Sequence, residues 1–148
     1  MSGLLNHSPA EITQRQLVSG SFGTLPSASS TWPIFLQNEQ DSPDSCITIY
    51  DTLGETEGTI QIDGKVVERY SIQIRLRSGL YETAYTKAQA IQQYLDKTIK
   101  QTSITIGSDT YLITDYIRRQ PILRIGKDIP QSKREILVIN YLLKVNKT

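Results

Sequence analysis

This chain of 148 residues holds a single cysteine, Cys46, a single histidine, His7, and a single tryptophan, Trp32. One cysteine excludes an internal disulfide framework and leaves the redox compartment open, in favour of an intracellular origin. One histidine near the start argues against histidine-based acid–base chemistry and against a multi-histidine metal site. No apolar run approaches the ~18–20 residues of a membrane-spanning helix, and no basic start followed by an apolar stretch reads as a signal peptide. A chain of this length is expected to form one domain, residues 1–148, and to bury ~70% of its unfolded surface, so it needs no disulfide or metal staple. Together these absences predict a soluble protein without catalytic activity, cofactor or metal, and with no membrane partner.

What is present is an uneven distribution of charge beneath a net charge of only +1. Residues 1–63 hold one basic residue, Arg15, against eight acidic ones, a net −7; residues 64–148 hold fifteen basic and seven acidic, a net +8. Such asymmetry predicts an acidic surface that meets a basic one between copies, or a basic face that meets nucleic acid. The plain alternative is that both sets mix in three dimensions.

Ser8-Pro9-Ala10-Glu11 predicts a helix start, with serine as cap, proline at the first helical position and Glu11 closing a capping box. The helix should run over 8–19 and stop near Gly20. Its few apolar residues predict that it lies on a surface or at an interface. Ten of the thirteen residues 19–31 are Ser, Gly, Thr or Pro, which predicts a flexible linker anchored only by Phe22 and Leu25. The remainder, 32–148, should hold the sheet and the main helix. Trp32, which precedes Pro33, should be extended, and Ile34 to Leu36 should form a short strand. Asp41-Ser42-Pro43-Asp44 reads as a turn, and Ile47 to Thr52 as a strand. An acidic loop is expected over 53–58, followed by a hairpin around Asp63-Gly64. Ser71 to Arg77 alternates, with Ile72, Ile74 and Leu76 on one face and Gln73, Arg75 and Arg77 on the other. The apolar stripe Leu80, Ala84, Ala88, Ile91 and Leu95 predicts the main helix. A hairpin at Gly107-Ser108-Asp109, a polar connection over 126–133 and a last strand carrying Leu137, Ile139, Tyr141, Leu143 and Val145 complete the pattern. The fold class is α+β: a mainly antiparallel β-sheet flanked by two helices, with an extended β-hairpin.

The motifs that carry chemistry are weak. Glu39, Asp41, Asp44 and Asp51 lack the alternating ligands and central glycine of a calcium loop. Gly58 and Gly64-Lys65 miss the phosphate-loop spacing, and Val66 stands where a magnesium ligand is needed. Cys46 has no partner base and reads as a small buried hydrophobe. Arg75, Arg77, Arg118, Arg119, Arg124, Lys127, Lys133 and Arg134 could meet phosphates, yet no nucleic-acid motif or interleaved aromatic series accompanies them.

Trp32-Pro33-Ile34-Phe35, Asp41-Ser42-Pro43-Asp44 and Ile47-Thr48-Ile49-Tyr50-Asp51-Thr52 follow one another at a familiar spacing. Ile72-Gln73-Ile74-Arg75-Leu76-Arg77, Tyr85-Thr86-Lys87-Ala88 and Thr110-Tyr111-Leu112-Ile113 continue the series. In this order the chain resembles the tail terminator (tail completion) proteins of tailed bacteriophages. The resemblance implies a virion structural protein at the tail–neck junction, assembled in the host cytoplasm. It further implies a homo-oligomer, a hexameric ring, whose partners are the tail tube protein and a neck or head completion (connector) protein, with DNA passing through the lumen. On that reading Glu39, Asp41, Asp44, Glu55 and Glu57 are candidates for one joint surface. Arg118, Arg119, Arg124, Lys133 and Arg134 are candidates for the other, and Arg75 and Arg77 for the lumen. The competing class is a basic-faced, nucleic-acid-associated module of the head–tail junction.

Overall fold

The computed structural model describes residues 5–27, 31–40, 43–60, 65–127 and 134–148, with the backbone alone at 53–60, 65–68 and 127. The predicted tip around Asp63-Gly64, Asp41, Ser42 and Lys133 therefore lie outside the described residues. Among the described residues two α-helices and seven strands follow in the order α1 (Pro9–Ser19), β1 (Ile34–Leu36), β2 (Cys46–Ile60), β3 (Lys65–Ser78), α2 (Tyr81–Gln93), β4 (Lys100–Ile106), β5 (Asp109–Arg118), β6 (Leu123–Lys127) and β7 (Glu135–Lys147). One sheet runs β1-β2-β3-β7-β5-β4, with β6 also on β7. Among the strands named, β1 pairs with β2 in parallel and the others pair antiparallel; an isolated bridge, Thr24↔Pro33, is also parallel. This is the α+β arrangement that the periodicities predict.

β7 organises the sheet. One edge pairs with β3 from Ser78↔Glu135 to Tyr70↔Leu143. The other edge is shared: β6 takes Glu135 to Val138, and β5 takes Tyr141 to Lys147. Pairing on both edges satisfies the backbone of β7, and both of its alternating side-chain sets are apolar. Leu137, Ile139, Tyr141, Leu143 and Val145 enter the main core, whereas Ile136, Val138 and Leu142 are buried on the opposite face.

α1 begins as read, with the Ser8 hydroxyl accepting from the Glu11 amide at 3.2 Å. It is not a surface helix, however. Ala10, Ile12 and Leu17 are fully buried, and so, nearly, are Thr13, Gln14 and Gln16. The polar side chains that make its stripe look thin find partners inside, Gln16 only through its nitrogen: Thr13 Oγ1 meets the Tyr116 hydroxyl at 2.9 Å, Gln14 Nε2 donates to the Ile34 carbonyl at 2.6 Å, and Gln16 Nε2 donates to the Tyr94 hydroxyl at 2.8 Å while its Oε1 is buried without a partner. Hydrogen bonding removes most of the cost of burying such groups. The Asp51 carboxylate accepts from the Ala10 amide in the first turn of α1 at 2.9 Å and from Gln37 Nε2, a favourable place for negative charge.

Four further expectations are corrected. Residues 53–58 are not a loop, because β2 stays paired with β3 to Ile60↔Lys65, with bulges between Thr52 and Glu55 and between Thr56 and Thr59. The polar connection starts later than read, since Gly126 and Lys127 belong to β6. Leu80 does not join the helical stripe: it is the extended N-cap residue of α2 and is 68% exposed. The helix ends in a π-helical turn, Tyr94–Thr98. Trp32 is left-handed, at φ +54°, rather than extended. Its carbonyl accepts from the Thr24 amide at 3.2 Å, and Lys87 Nζ sits 4.8 Å from its ring centroid. The segment after α1 is thus tied down as far as Thr24. Phe22 packs on Tyr94, Lys87 Nζ donates to the Phe22 carbonyl at 2.7 Å, and Ile34 N donates to the Thr24 carbonyl at 2.9 Å.

Candidate functional site

Alternation on β3 puts Arg75 and Arg77 on the face away from the helices, because Ile72, Ile74 and Leu76 enter the helix-side core. The chain between β1 and β2 brings Glu39 to both of them. Arg75 Nε lies 3.4 Å from Glu39 Oε1, an ion contact without hydrogen-bond alignment, and Arg77 Nη1 lies 3.8 Å from Glu39 Oε2. Arg77 also donates from Nη2 to the Pro43 carbonyl at 2.7 Å and from Nε to the Asp44 carbonyl at 3.3 Å. It is 2% exposed. An arginine with this many internal acceptors fixes a loop; it has no surface to turn to a lumen. Burial pushes the nearby Cys46 thiol up, opposed by the Arg77 charge, so the cysteine stays a protonated core residue. Arg134 Nη1 meets Asp44 Oδ1 at 3.7 Å, with the aspartate 76% exposed.

A second group forms where β6 passes the start of α2. Arg124 binds Glu135 through Nε and Nη2, each at 3.1 Å, a two-pronged pairing suited to the planar guanidinium. The same guanidinium lies 5.7 Å from the Tyr81 ring, and Tyr81 stacks on Tyr85 at 5.8 Å. Leu80, Tyr81, Tyr85, Leu123 and Ile125 are exposed nearby in sequence.

The third group surrounds the π-helical turn. Asp96 accepts from the Tyr141 hydroxyl at 2.9 Å on Oδ1 and faces Arg118 Nε at 3.2 Å on Oδ2. Burial, reinforced by the hydrogen bond to Asp96, pushes the Tyr141 phenol well above its ordinary range. A shallow hollow of about 430 Å³ opens beside this pair, lined by Asp96, Lys100, Tyr116, Arg118, Arg119 and Gln120 among others. Lys100, Arg118 and Arg119 are exposed there, so the hollow carries more positive than negative charge and suits an acidic group. Arg119 adjoins the open face as well, its amide donating to the Asn140 carbonyl at 3.0 Å.

Two of the sequence-selected acids therefore already face basic residues of their own chain. Glu39 lies with Arg75 and Arg77, and Asp44 with Arg134, each an acid from the first part of the chain beside a base from the second. The side chains of Glu55, Glu57 and Lys127 lie outside the described residues. Sequence reasoning passed over Asp96, Lys100 and Glu135. Asp96 has a weak signal, an acid at the end of an apolar stripe; Glu135 and Lys100 have none. Among the described residues no three His, Cys, Asp or Glu side chains converge as metal ligands, and no helix is long and apolar enough to cross a membrane.

A family model described as "Bacteriophage tail terminator protein" matches residues 16–146. Among solved structures, a chain from "Virion of native gene transfer agent (GTA) particle" aligns with a TM-score of 0.47 at 7% identity, over 76% of this chain and 78% of that one. A second solved chain aligns with a TM-score of 0.41 at 14% identity, over 79% of each. No curated protein matches.

Proposed function

The chain belongs to the bacteriophage tail terminator family, a structural component of the phage tail, and we propose that it forms the ring that caps the tail tube. The match over residues 16–146 carries this reading, because it spans every strand of the sheet rather than one motif. In the proposed virion six copies close head to tail at the tail–neck junction after assembly in the host cytoplasm. One face of the ring meets the tube protein, the other a neck or head completion protein, and DNA passes through the lumen. A head-to-tail ring requires two different surfaces on each copy that close after a fixed rotation. Two features support such a closure: the β2–β3 ribbon, whose pairing runs beyond that of β3 with β7, and the basic hollow where β5 leaves the sheet.

The charged residues sort accordingly. Glu55, Glu57, Arg118, Arg119 and Arg124 are proposed at the joints. Arg75, 27% exposed, is the lumen residue that retains a surface. Glu39, Asp44 and Arg134 act first within the subunit. No catalytic step is called on. The alternative of a nucleic-acid module rests on basic residues of which Arg75, Arg77, Arg118, Arg124 and Arg134 already face carboxylates of their own chain.

A tube end without its cap keeps adding subunits and offers no surface to a head. Disrupting the gene in the phage should give headless tubes of uncontrolled length by electron microscopy, with supplied protein restoring full particles. Tubes of normal length joined to heads would overturn the proposal.

A further inference from the structure

α1 touches both ends of the strand order, β1 and β4, so the helix bridges two edges of the sheet. Its hold on the rest of the subunit is directional. Asn6 N and His7 Nδ1 meet the Tyr111 hydroxyl at 3.2 and 2.7 Å, and Ala10 N donates to Asp51. Thr13, Gln14 and Gln16 bond Tyr116, Ile34 and Tyr94. All of these partners lie outside residues 5–24, so every copy of the chain offers the same set.

The return from this arm to the sheet is strained. Thr24 N donates to the Trp32 carbonyl at 3.2 Å and Thr24 Oγ1 to the Thr31 carbonyl at 3.3 Å. The chain must therefore come back on itself within the seven residues 25–31. Trp32 ends that return at φ +54°. A bulky residue is rarely left-handed, and one that precedes proline favours an extended backbone. The φ of Trp32 sets the direction from which residue 31 arrives. At +54° the chain arrives from its own α1. At an extended φ it arrives from elsewhere, while Pro33, Ile34 and the Trp32 carbonyl keep their places. Fully extended, 25–31 spans up to about 25 Å, enough to reach a copy in contact.

Resting on the ring reading above only for the presence of neighbours, we propose that residues 5–24 exchange between copies, the α1 of one filling the α1 site of the next. The occupant is this segment of a second copy. It meets the partners it has in the closed subunit, so no new complementarity is required, and Trp32 regains the extended backbone that Pro33 favours. A strained hinge of this kind drives such an exchange. Passed head to tail, it links every copy of a ring.

The test is cross-linking in purified virions. The side chains of Asn6 and Asp109 meet at 3.2 Å on the surface. Asn6→Cys and Asp109→Cys are placed on one chain in a Cys46→Ala background and bridged with a short bismaleimide. Exchange should give a ladder of linked chains on a denaturing gel, absent from each single-cysteine control. An internally bridged single chain alone, in virions whose images show the ring, overturns the exchange and leaves the ring reading standing. A ladder without a sixfold ring overturns the ring and upholds the exchange; neither ladder nor ring overturns both. Should the cysteine chain fail to incorporate, the purified chain decides. Held at millimolar concentration, it should form a multimer that persists on dilution, because undoing it requires α1 to leave its site. Trp32→Gly and Trp32→Ala both remove the indole, but only glycine is left-handed without strain. The glycine chain should therefore hold about tenfold less multimer than the alanine chain. No multimer from the unaltered chain, or equal amounts from the two variants, overturns the proposal.

Discussion

At Arg77 one guanidinium satisfies two carbonyls and faces a carboxylate at 2% exposure. Removing one partner of a buried ion pair costs about 3–5 kcal/mol, because the other charge is left uncompensated. Arg77→Ala should therefore lower the urea midpoint by an amount equivalent to about 3 kcal/mol, with the slope unchanged. A loss below about 1 kcal/mol would show that Glu39 and the loop find water instead. The tyrosines make a pH prediction. Burial raises the phenols of Tyr116 and Tyr141 above their ordinary value. A raised native value means that stability is intact below the unfolded value of about 10 and falls as pH rises through it, because only the unfolded chain releases the proton. Chemical denaturation from pH 8 to 11 should show this fall, and Tyr116→Phe with Tyr141→Phe should flatten it. The alternation on β3 put both arginines opposite the core correctly. That pattern could not name Glu39, 36 and 38 residues earlier, because an ion pair leaves no periodic mark.

Elements were legible where the apolar residues keep one period. The stripe on the main helix holds from Ala84 to Leu95 without Leu80, and the alternating set on β7 enters the main core although the opposite set is buried as well. α1 misled because its buried face is half polar, and glutamines bonded to Ile34 and Tyr94 look in sequence like solvent-facing ones. β6 was missed since Gly126, at φ +118°, interrupts a five-residue run at a bulge. The Ser/Gly stretch was read by composition as a linker, yet one of its glycines is there for space. A Cβ on Gly23 would lie 2.5 Å from the Trp32 carbonyl oxygen and 2.7 Å from the Ile34 side chain. Gly23→Ala must displace backbone that holds β1, so it should cost about 1–3 kcal/mol. Gly79→Ala, with nothing within 4 Å of its Cβ, is the control. Thermal melts of the two variants compare them directly, and equal midpoints would refute the close approach.

Over the whole molecule the sequence separates charge that the fold partly recombines. A net −7 and a net +8 look like two faces, but strand order and the Glu39 loop bring acids and bases from the two parts together on the open side of β3. Family and fold class were legible because they depend on the order of motifs and strands along the chain. The joints were not, because they depend on another copy. Six copies are proposed to close into a ring at the end of the tail. Cryo-electron microscopy of the phage neck, reconstructed without imposed symmetry, decides it. Six copies of this sheet are expected around the lumen, between the last tube ring and the neck. Neck density lacking sixfold symmetry at this protein, or this chain placed elsewhere in the virion, would contradict it.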